Sequence, residues 1–272
     1  MEQNASFETF GFGKRLKSML RVDGRRMLRS KLFYLLIACA LILPILMTVM
    51  MDMMDGSVSV DPQTGVETVM RGPESTWQNF GTPAVGGSTL GGAEVFSMCN
   101  INMVFMGVAV FVCLFISEDF RSGYAKNLFT VRARKGDYVI SKTLMGVLCG
   151  TLMLIAYGIG SILGGAMAGL SFDLSAFALT PLNLVMCMLA KIVLMPVFVS
   201  IFTLISVAAK QRTWLCLCGS FGGGMLLFMT TSLVTPLEST PLHVVLCLAG
   251  GILFAVGLGA ISRVVLNRTA LV

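Results

Sequence analysis

The sequence predicts an all-α integral membrane protein with six transmembrane helices and both termini in the cytoplasm. Long apolar segments and the one-sided placement of basic residues lead to this class. Of the 272 residues, 56% are hydrophobic and only 12% are charged, and the mean hydropathy is +0.84. Soluble domains typically carry about 25% charged residues. The composition therefore excludes an ordinary soluble domain.

Six apolar segments each hold about the 20 residues that a helix needs to cross roughly 30 Å of hydrocarbon. These spans are predicted at about 33–51, 95–117, 143–170, 182–208, 214–235 and 242–266. The sequence thus predicts a transmembrane domain over 33–266, with an external loop at 52–94 and a short cytoplasmic tail at 267–272.

The basic residues indicate the orientation of these spans. They cluster before the first span, between the second and third, between the fourth and fifth, and at the end of the chain, whereas the opposite side carries only Arg71 among several acids. Lysine and arginine concentrate on the cytoplasmic side of membrane proteins, so both termini are predicted to be cytoplasmic. The net charge of +6 is then explained by attraction to anionic membrane lipid, and no nucleic acid is expected as a partner.

Residues 1–32 are predicted to form a cytoplasmic amphipathic segment. Phe12, Leu16, Met19 and Leu20 fall on one face at helical spacing, Asp23 interrupts that face, and basic residues form the other. A helix of this type lies in the headgroup plane of the membrane. A disordered basic tail is the alternative.

No catalytic or metal-binding constellation is evident. The single histidine, His243, excludes a histidine-based metal cluster or a serine–histidine pair within one chain. The nucleotide-binding pattern G-x-x-x-x-G-K-[ST] is absent, so the chain is not expected to hydrolyse nucleotide by itself. The eight cysteines all lie in apolar segments and are predicted to pack as small hydrophobic residues. We therefore predict no enzyme, no cofactor and no metal in this chain.

Glycines recur at helical spacing in the later spans. Gly160 and Gly164 are four residues apart in the third span, as are Gly165 and Gly169. Small residues at this spacing let helices approach closely in a membrane. Packing within one subunit is the favoured interpretation, and a dimer interface is the alternative.

Lys191 is the one clearly intramembrane charge, about nine residues into the fourth span. Charge at this depth is costly and often marks a substrate or ion pathway. A long lysine side chain can also extend to the interface. We favour the second interpretation and keep Lys191 as a candidate pathway residue.

The loop from Ser117 to Lys142 is the most informative segment. Acids at the end of the second span oppose the helix dipole, which suggests that Ser117 caps a new helix. Phe120, Tyr124, Leu128 and Val131 would then form one apolar stripe. A short amphipathic helix between two spans could dock on a cytoplasmic partner or lie on the lipid surface.

At these residues the chain resembles the permease subunits of ABC type-2 exporters. Members of that family carry a motif like E-[DE]-x-[RK]-x-G after the second span, and residues 118–123 of this chain have the sequence EDFRSG. The basic segment Arg25–Lys31 and the segment Tyr138–Lys142 are also similar to the family. The chain looks closest to the small standalone permeases of bacterial drug and antimicrobial-peptide exporters.

The resemblance implies a translocation pathway for a hydrophobic or amphipathic substrate in the cell membrane. It implies a second permease copy or a paralogue, and separate ATP-binding-cassette ATPase subunits that carry ATP and magnesium. The loop after the second span would be the coupling helix. Its contact residues would be Glu118, Asp119, Phe120, Arg121, Gly123, Tyr124 and Leu128. Here Glu118 and Asp119 would stabilise the start of the coupling helix. Gly123 would let the partner approach closely where a side chain could not fit.

Two other functional classes remain open. A secondary, ion-coupled carrier built from two triplets of spans would share this topology. Such a carrier would need intramembrane acids, whereas all 14 acids lie in tails, loops or at span ends. A membrane scaffold or sensor subunit without transport activity is the other alternative.

Overall fold

The computed structural model describes residues 11–60, 67–69, 72–73, 75–81, 100–131, 135–175, 179–210 and 212–268. Predictions for residues 1–10, for most of the external loop 52–94 with residues 95–99, and for the tail beyond Arg268 lie outside the described residues. The protein is mainly helical, as predicted. The described helices are α1 (Phe12–Arg29), α2 (Lys31–Met53), α3 (Met103–Arg121), α4 (Tyr124–Val131), α5 (Lys135–Met167), α6 (Pro181–Ala209), α7 (Thr213–Val234) and α8 (Pro241–Arg268). The remaining elements are an antiparallel hairpin of β1 (Val58–Val60) and β2 (Glu67–Val69) and a 3-10 turn at Thr76–Phe80.

Five of these helices are long and apolar enough to cross a membrane. They are α2, α3, α5, α6 and α8, with 19 to 33 residues and mean hydropathies of 1.9 to 2.6 over their most apolar stretches. Helix α7 is also apolar, but its described side chains cover a shorter stretch, Thr213–Phe228. The chain therefore has the helices of a multi-pass membrane protein, and the predicted fifth span, 214–235, corresponds in position to α7.

Helix α5 begins earlier than the predicted third span. Its 33 residues correspond to about 50 Å, well beyond the roughly 30 Å of the hydrocarbon layer. The additional turns start at Lys135, where the sequence predicted loop. They are helical because Asp137 and Lys142, which look like loop residues in the sequence, are paired with charges on other helices.

The predicted helix start at Ser117 is wrong. Helix α3 continues through Ser117, which is buried, and ends at Arg121. The chain then turns at Ser122 and Gly123, where Gly123 adopts a positive φ of 71° that favours glycine. Helix α4 begins only after this turn.

The bundle has two chemically different ends. We call the end that carries α1, α4, the end of α3 and the starts of α5 and α7 the basic end, and the other the opposite end. Helix α3 is central, since 67% of its most apolar stretch is buried, against 11% for α8. Helix α8 packs mainly on α6, and α2 packs mainly on α5.

Close packing of α2 on α5 depends on glycine. A Cβ atom at Gly160 would collide with the carbonyl oxygen of Leu41, and one at Gly164 would lie 2.9 Å from the Cα of Ile45. Since both neighbours are backbone atoms, they cannot move aside as a flexible side chain can. These two glycines therefore serve packing within one subunit, as the favoured interpretation predicted.

Candidate functional site

Helix α1 lies against the basic end of the bundle and buries one face. Met19, Asp23 and Met27 are buried at helical spacing, and the helix packs on α5. The amphipathic helix predicted before the first span is confirmed for residues 12–29. Its buried face contains Asp23, which is 0% exposed, so the acid that interrupts the apolar pattern needs a partner inside the protein.

Four charged side chains from three helices meet at this point. We call Asp23, Arg26, Asp119 and Lys142 the charge cluster. The Nζ atom of Lys142 lies 2.9 Å from Oδ1 of Asp23 and 2.7 Å from Oδ2 of Asp119. An Nη1 atom of Arg26 lies 2.6 Å from Oδ1 of Asp119. Two acids face two bases, so the formal charges of the cluster cancel.

Hydroxyl groups donate hydrogen bonds to one oxygen of each carboxylate. Tyr138 donates a hydrogen bond of 3.0 Å to Oδ2 of Asp119. Ser141 donates one of 2.6 Å to Oδ2 of Asp23. A buried ion pair is tolerated only when its remaining hydrogen-bonding capacity is satisfied in this way.

Aromatic rings enclose the cations of the cluster. The Nζ atom of Lys142 lies 4.0 Å from the ring centre of Phe115, and the guanidinium of Arg26 lies 4.4 Å from that of Tyr124. Burial alone would lower the pKa of Arg26, but Asp119, Asp23 and Tyr124 together outweigh burial and hold that pKa above its ordinary value. The guanidinium is therefore charged, and it links α4 to α1.

A second ion pair ties α1 to α5 near the cluster. Nε of Arg15 donates to Oδ2 of Asp137 at 3.0 Å, and the two side chains are 19% and 11% exposed. Together with the charge cluster, this ion pair connects α1 to α3 and α5.

The predicted apolar stripe of α4 faces the protein interior. Phe120, at the end of α3, is only 8% exposed and belongs to the core, and Leu128 packs against that core. Tyr124 is half-buried beneath Arg26. For Phe120 the prediction that this stripe faces a partner is wrong, because the ring is buried in the core. Tyr124 and Leu128 are only partly buried, and their contact with a partner stays a prediction. The side chain of Val131 lies outside the described ones.

Exposed polar groups form the outer side of this turn. They are Glu118, Arg121, Lys126, Asn127 and Thr130. Of the adjacent acids predicted to hold the start of a coupling helix, Glu118 is exposed and Asp119 is buried in the charge cluster. Among the described residues, no atom lies within 4 Å of the position that a Cβ atom would take at Gly123.

Sequence reasoning did not identify Asp23 and Lys142 as site residues. Both lie more than 90 residues from at least one partner in the cluster, so no local pattern connects them. Two isolated acids in basic surroundings could have indicated the cluster. Asp23 lies within a strongly basic segment, and Asp119 lies at the end of a span on the basic side.

Lys191 lies far from this cluster, toward the opposite end. The side chain is 0% exposed, so the favoured prediction that it reaches the interface is wrong. Its Nζ atom donates to Oδ1 of Asn102 at 2.7 Å and to Oγ1 and the carbonyl oxygen of Thr235 at 2.9 and 3.4 Å. A buried ammonium thereby joins the start of α3, the middle of α6 and the end of α7. Whether it lines a pathway stays a prediction.

Two buried cysteines form a small polar group near the basic end. Sγ of Cys113 on α3 lies 2.9 Å from Oγ of Ser220, and Sγ of Cys216 on α7 lies 3.0 Å from Oγ of Ser206. The described cysteines are free thiols. Five of them are buried, which fits the predicted packing role, although Cys113 and Cys216 also make these hydrogen bonds.

The charge cluster joins α1, α3 and α5 at the basic end through ion pairs. In the described part of the chain, no group of three or more histidine, cysteine, aspartate or glutamate side chains is placed to hold a metal ion. Comparisons with protein-family models, with curated proteins and with solved structures find no match to this chain. The contacts of the charge cluster and of α4 are therefore the basis on which a function can be proposed.

Proposed function

We propose that this chain is the transmembrane permease subunit of an ATP-binding-cassette exporter. It would lie in the cell membrane with both termini in the cytoplasm, and it would pair with a second copy or a paralogue. A separate ATP-binding subunit would bind ATP and magnesium and drive export. The substrate would be a hydrophobic or amphipathic compound such as a drug or an antimicrobial peptide.

The attachment of α4 is the observation that carries this proposal. Only Ser122 and Gly123 separate α4 from α3, and Tyr124 contacts Arg26 of the charge cluster. The cluster in turn holds α1, α3 and α5 together. A displacement of α4 by the partner would therefore be transmitted to α1, α3 and α5 together, as a coupling helix requires.

The exposed side of this turn supports a polar contact with the ATP-binding subunit. Glu118 lies one residue before the buried Asp119, and Lys126 on α4 is exposed as well. Charged residues at the rim of an interface mainly influence partner choice and association rate. The apolar stripe would contribute indirectly, by holding α4 on the bundle.

Co-expression with an ATP-binding-cassette protein encoded beside this chain tests the proposal. The double variant Glu118→Lys/Lys126→Glu reverses both charges and keeps the net charge unchanged. We expect weaker co-purification and a joint fall of ATPase stimulation and export. Asp173→Lys, an exposed charge reversal at the opposite end, is the matched control and should retain all three.

The same experiment separates the proposal from the alternatives. Transport that continues without any ATPase and follows an ion gradient would identify a secondary carrier. An unchanged ATPase rate and no transport in the presence of the ATP-binding subunit would identify a scaffold or sensor. Either result would contradict the exporter assignment.

A further inference from the structure

A cleft opens at the basic end between the end of α3 and the start of α7. It has a volume of about 480 Å³ and is lined by Arg121, Arg212, Thr213, Trp214 and Leu215. None of these residues belongs to the charge cluster. The cleft is therefore a separate feature of the basic end, with its own chemistry.

The two arginines of the cleft lack acidic partners. Both side chains are exposed, and within the described residues neither Arg121 nor Arg212 forms an ion pair, whereas Arg15 and Arg26 do. Two guanidinium groups on one cleft repel each other unless an anion lies between them. A phosphate group suits this position, because guanidinium donors match its oxygens in a bidentate geometry.

Backbone donors add to the positive potential of the cleft. The first helical hydrogen bond of α7 runs from the amide of Cys216 to the carbonyl oxygen of Arg212. The amides of Thr213, Trp214 and Leu215 precede it, and no side chain caps this helix start. The amides of a first helical turn favour anions, and Arg212 lies directly before this helix.

The surroundings of the cleft favour a lipid over a soluble anion. Trp214 is 82% exposed and Leu215 is 56% exposed. The exposed apolar face continues along α7 through Phe221, Met225 and Leu226. A phosphate bound in the cleft would place attached acyl chains on this face, and tryptophan is enriched at the level of lipid headgroups.

We propose that this cleft binds the phosphodiester headgroup of an anionic phospholipid, with its acyl chains along the exposed face of α7. The site does not depend on the exporter assignment. A soluble phosphate would use only the arginines and the start of α7, and like an acidic protein partner it would leave the apolar face of α7 without a role.

Fluorescence quenching of Trp214 tests the proposal. The chain has two tryptophans, so the variant Trp77→Phe leaves Trp214 as the only one. The protein is reconstituted in vesicles with brominated phosphatidylglycerol or brominated phosphatidylcholine at equal fractions. We expect stronger quenching by phosphatidylglycerol, and equal quenching by the two lipids would overturn the proposal.

Removing the cleft charges should abolish this selectivity. Arg121→Gln/Arg212→Gln in the same background should lower the preference for the anionic lipid by about thirtyfold, since two basic residues near a membrane together contribute about 2 kcal/mol. The control Arg25→Gln/Lys126→Gln removes two exposed charges from the same end, outside the cleft, and should retain most of the preference. An equal fall in both double variants would show general surface attraction and overturn the assignment to the cleft.

Two further measurements distinguish other ligands. Glycerophosphoglycerol, the headgroup without acyl chains, should leave the quenching by brominated phosphatidylglycerol unchanged at millimolar concentration. Displacement would assign the cleft to soluble phosphates and overturn the lipid proposal. A cleft variant that loses a co-purifying ATP-binding subunit but keeps its lipid selectivity would assign the cleft to a protein partner, with the same consequence.

Discussion

Lys142 on α5 and Asp119 on α3 form an ion pair of 2.7 Å in which the side chains are only 1% and 0% exposed. The same ammonium group lies 2.9 Å from Asp23 on α1. One lysine thus joins three helices at the basic end. Removal of one member from such a cluster leaves an uncompensated buried charge, which is far more costly than loss of an exposed ion pair.

The first prediction concerns Lys142. Lys142→Met leaves Asp23 and Asp119 with Arg26 as their remaining cation in the cluster, and we expect a loss of about 3–5 kcal/mol of stability. Thermal unfolding of the detergent-solubilised protein measures the effect. Lys126→Met, at an exposed position on α4, is the control and should change stability by no more than about 0.5 kcal/mol.

A second substitution makes this test more specific. Asp119→Asn in the Lys142→Met background removes one of the two acids that then share Arg26, so the double variant should be more stable than the sum of the single losses implies. Additive losses would show that the two side chains act independently, in contradiction to the ion pair.

The second prediction concerns the contact between α4 and α1. Tyr124→Leu removes the ring beneath Arg26, a contact worth about 0.5–1 kcal/mol. Amide hydrogen exchange over residues 124–131 should become faster. Tyr124→Phe retains the ring and should keep exchange slow. If both variants exchange at the wild-type rate, the contact does not hold α4 on the bundle.

The sequence predicted the elements of the fold better than their contacts. Apolar length alone identified α2, α6, α7 and α8 to within two residues at each end, because a span needs about 20 apolar residues. Periodicity identified α1 in the same way. These are local properties, and a single sequence displays them directly.

The charge cluster could not be predicted from local patterns. Asp119 looked unfavourable at a helix end, so a new helix was expected at Ser117. In the structure Arg26 and Lys142 compensate that carboxylate, and α3 continues without a break. Lys191 is a similar case, since its acceptors on Asn102 and Thr235 are 89 and 44 residues away in the chain.

The third prediction follows from the inward orientation of Phe120. Because this ring is buried in the core, Phe120→Ala should cost about 3–5 kcal/mol of stability. Any loss of partner binding in this variant would then follow from loosening of the protein. Wild-type thermal stability in Phe120→Ala, measured without the ATP-binding subunit, would show that the ring faces outward after all.

The fourth prediction concerns the surroundings of Lys191. The groups that contact its ammonium are the side-chain oxygen of Asn102 and the hydroxyl and carbonyl oxygens of Thr235. Lys191→Glu would place a carboxylate against these oxygen atoms. We expect little folded protein from this variant, whereas Lys191→Met should fold with a loss of about 1–3 kcal/mol from unfilled acceptors. Equal yield and stability of the two variants would exclude a buried ammonium at this position.

The last prediction concerns the seam between α2 and α5. Gly160→Ala would bring a methyl group against the carbonyl oxygen of Leu41, and backbone cannot rotate away as a side chain can. We expect the two helices to separate slightly, with a loss of about 1–3 kcal/mol. Gly250→Ala on α8 is the matched control, because nothing lies within 4 Å of the added Cβ and alanine is the better helix former by about 1 kcal/mol. Thermal unfolding should therefore shift down for Gly160→Ala and stay level or rise for Gly250→Ala. A similar shift in both would mean that Gly160 lies at an open surface, and the seam would then be available to a second subunit.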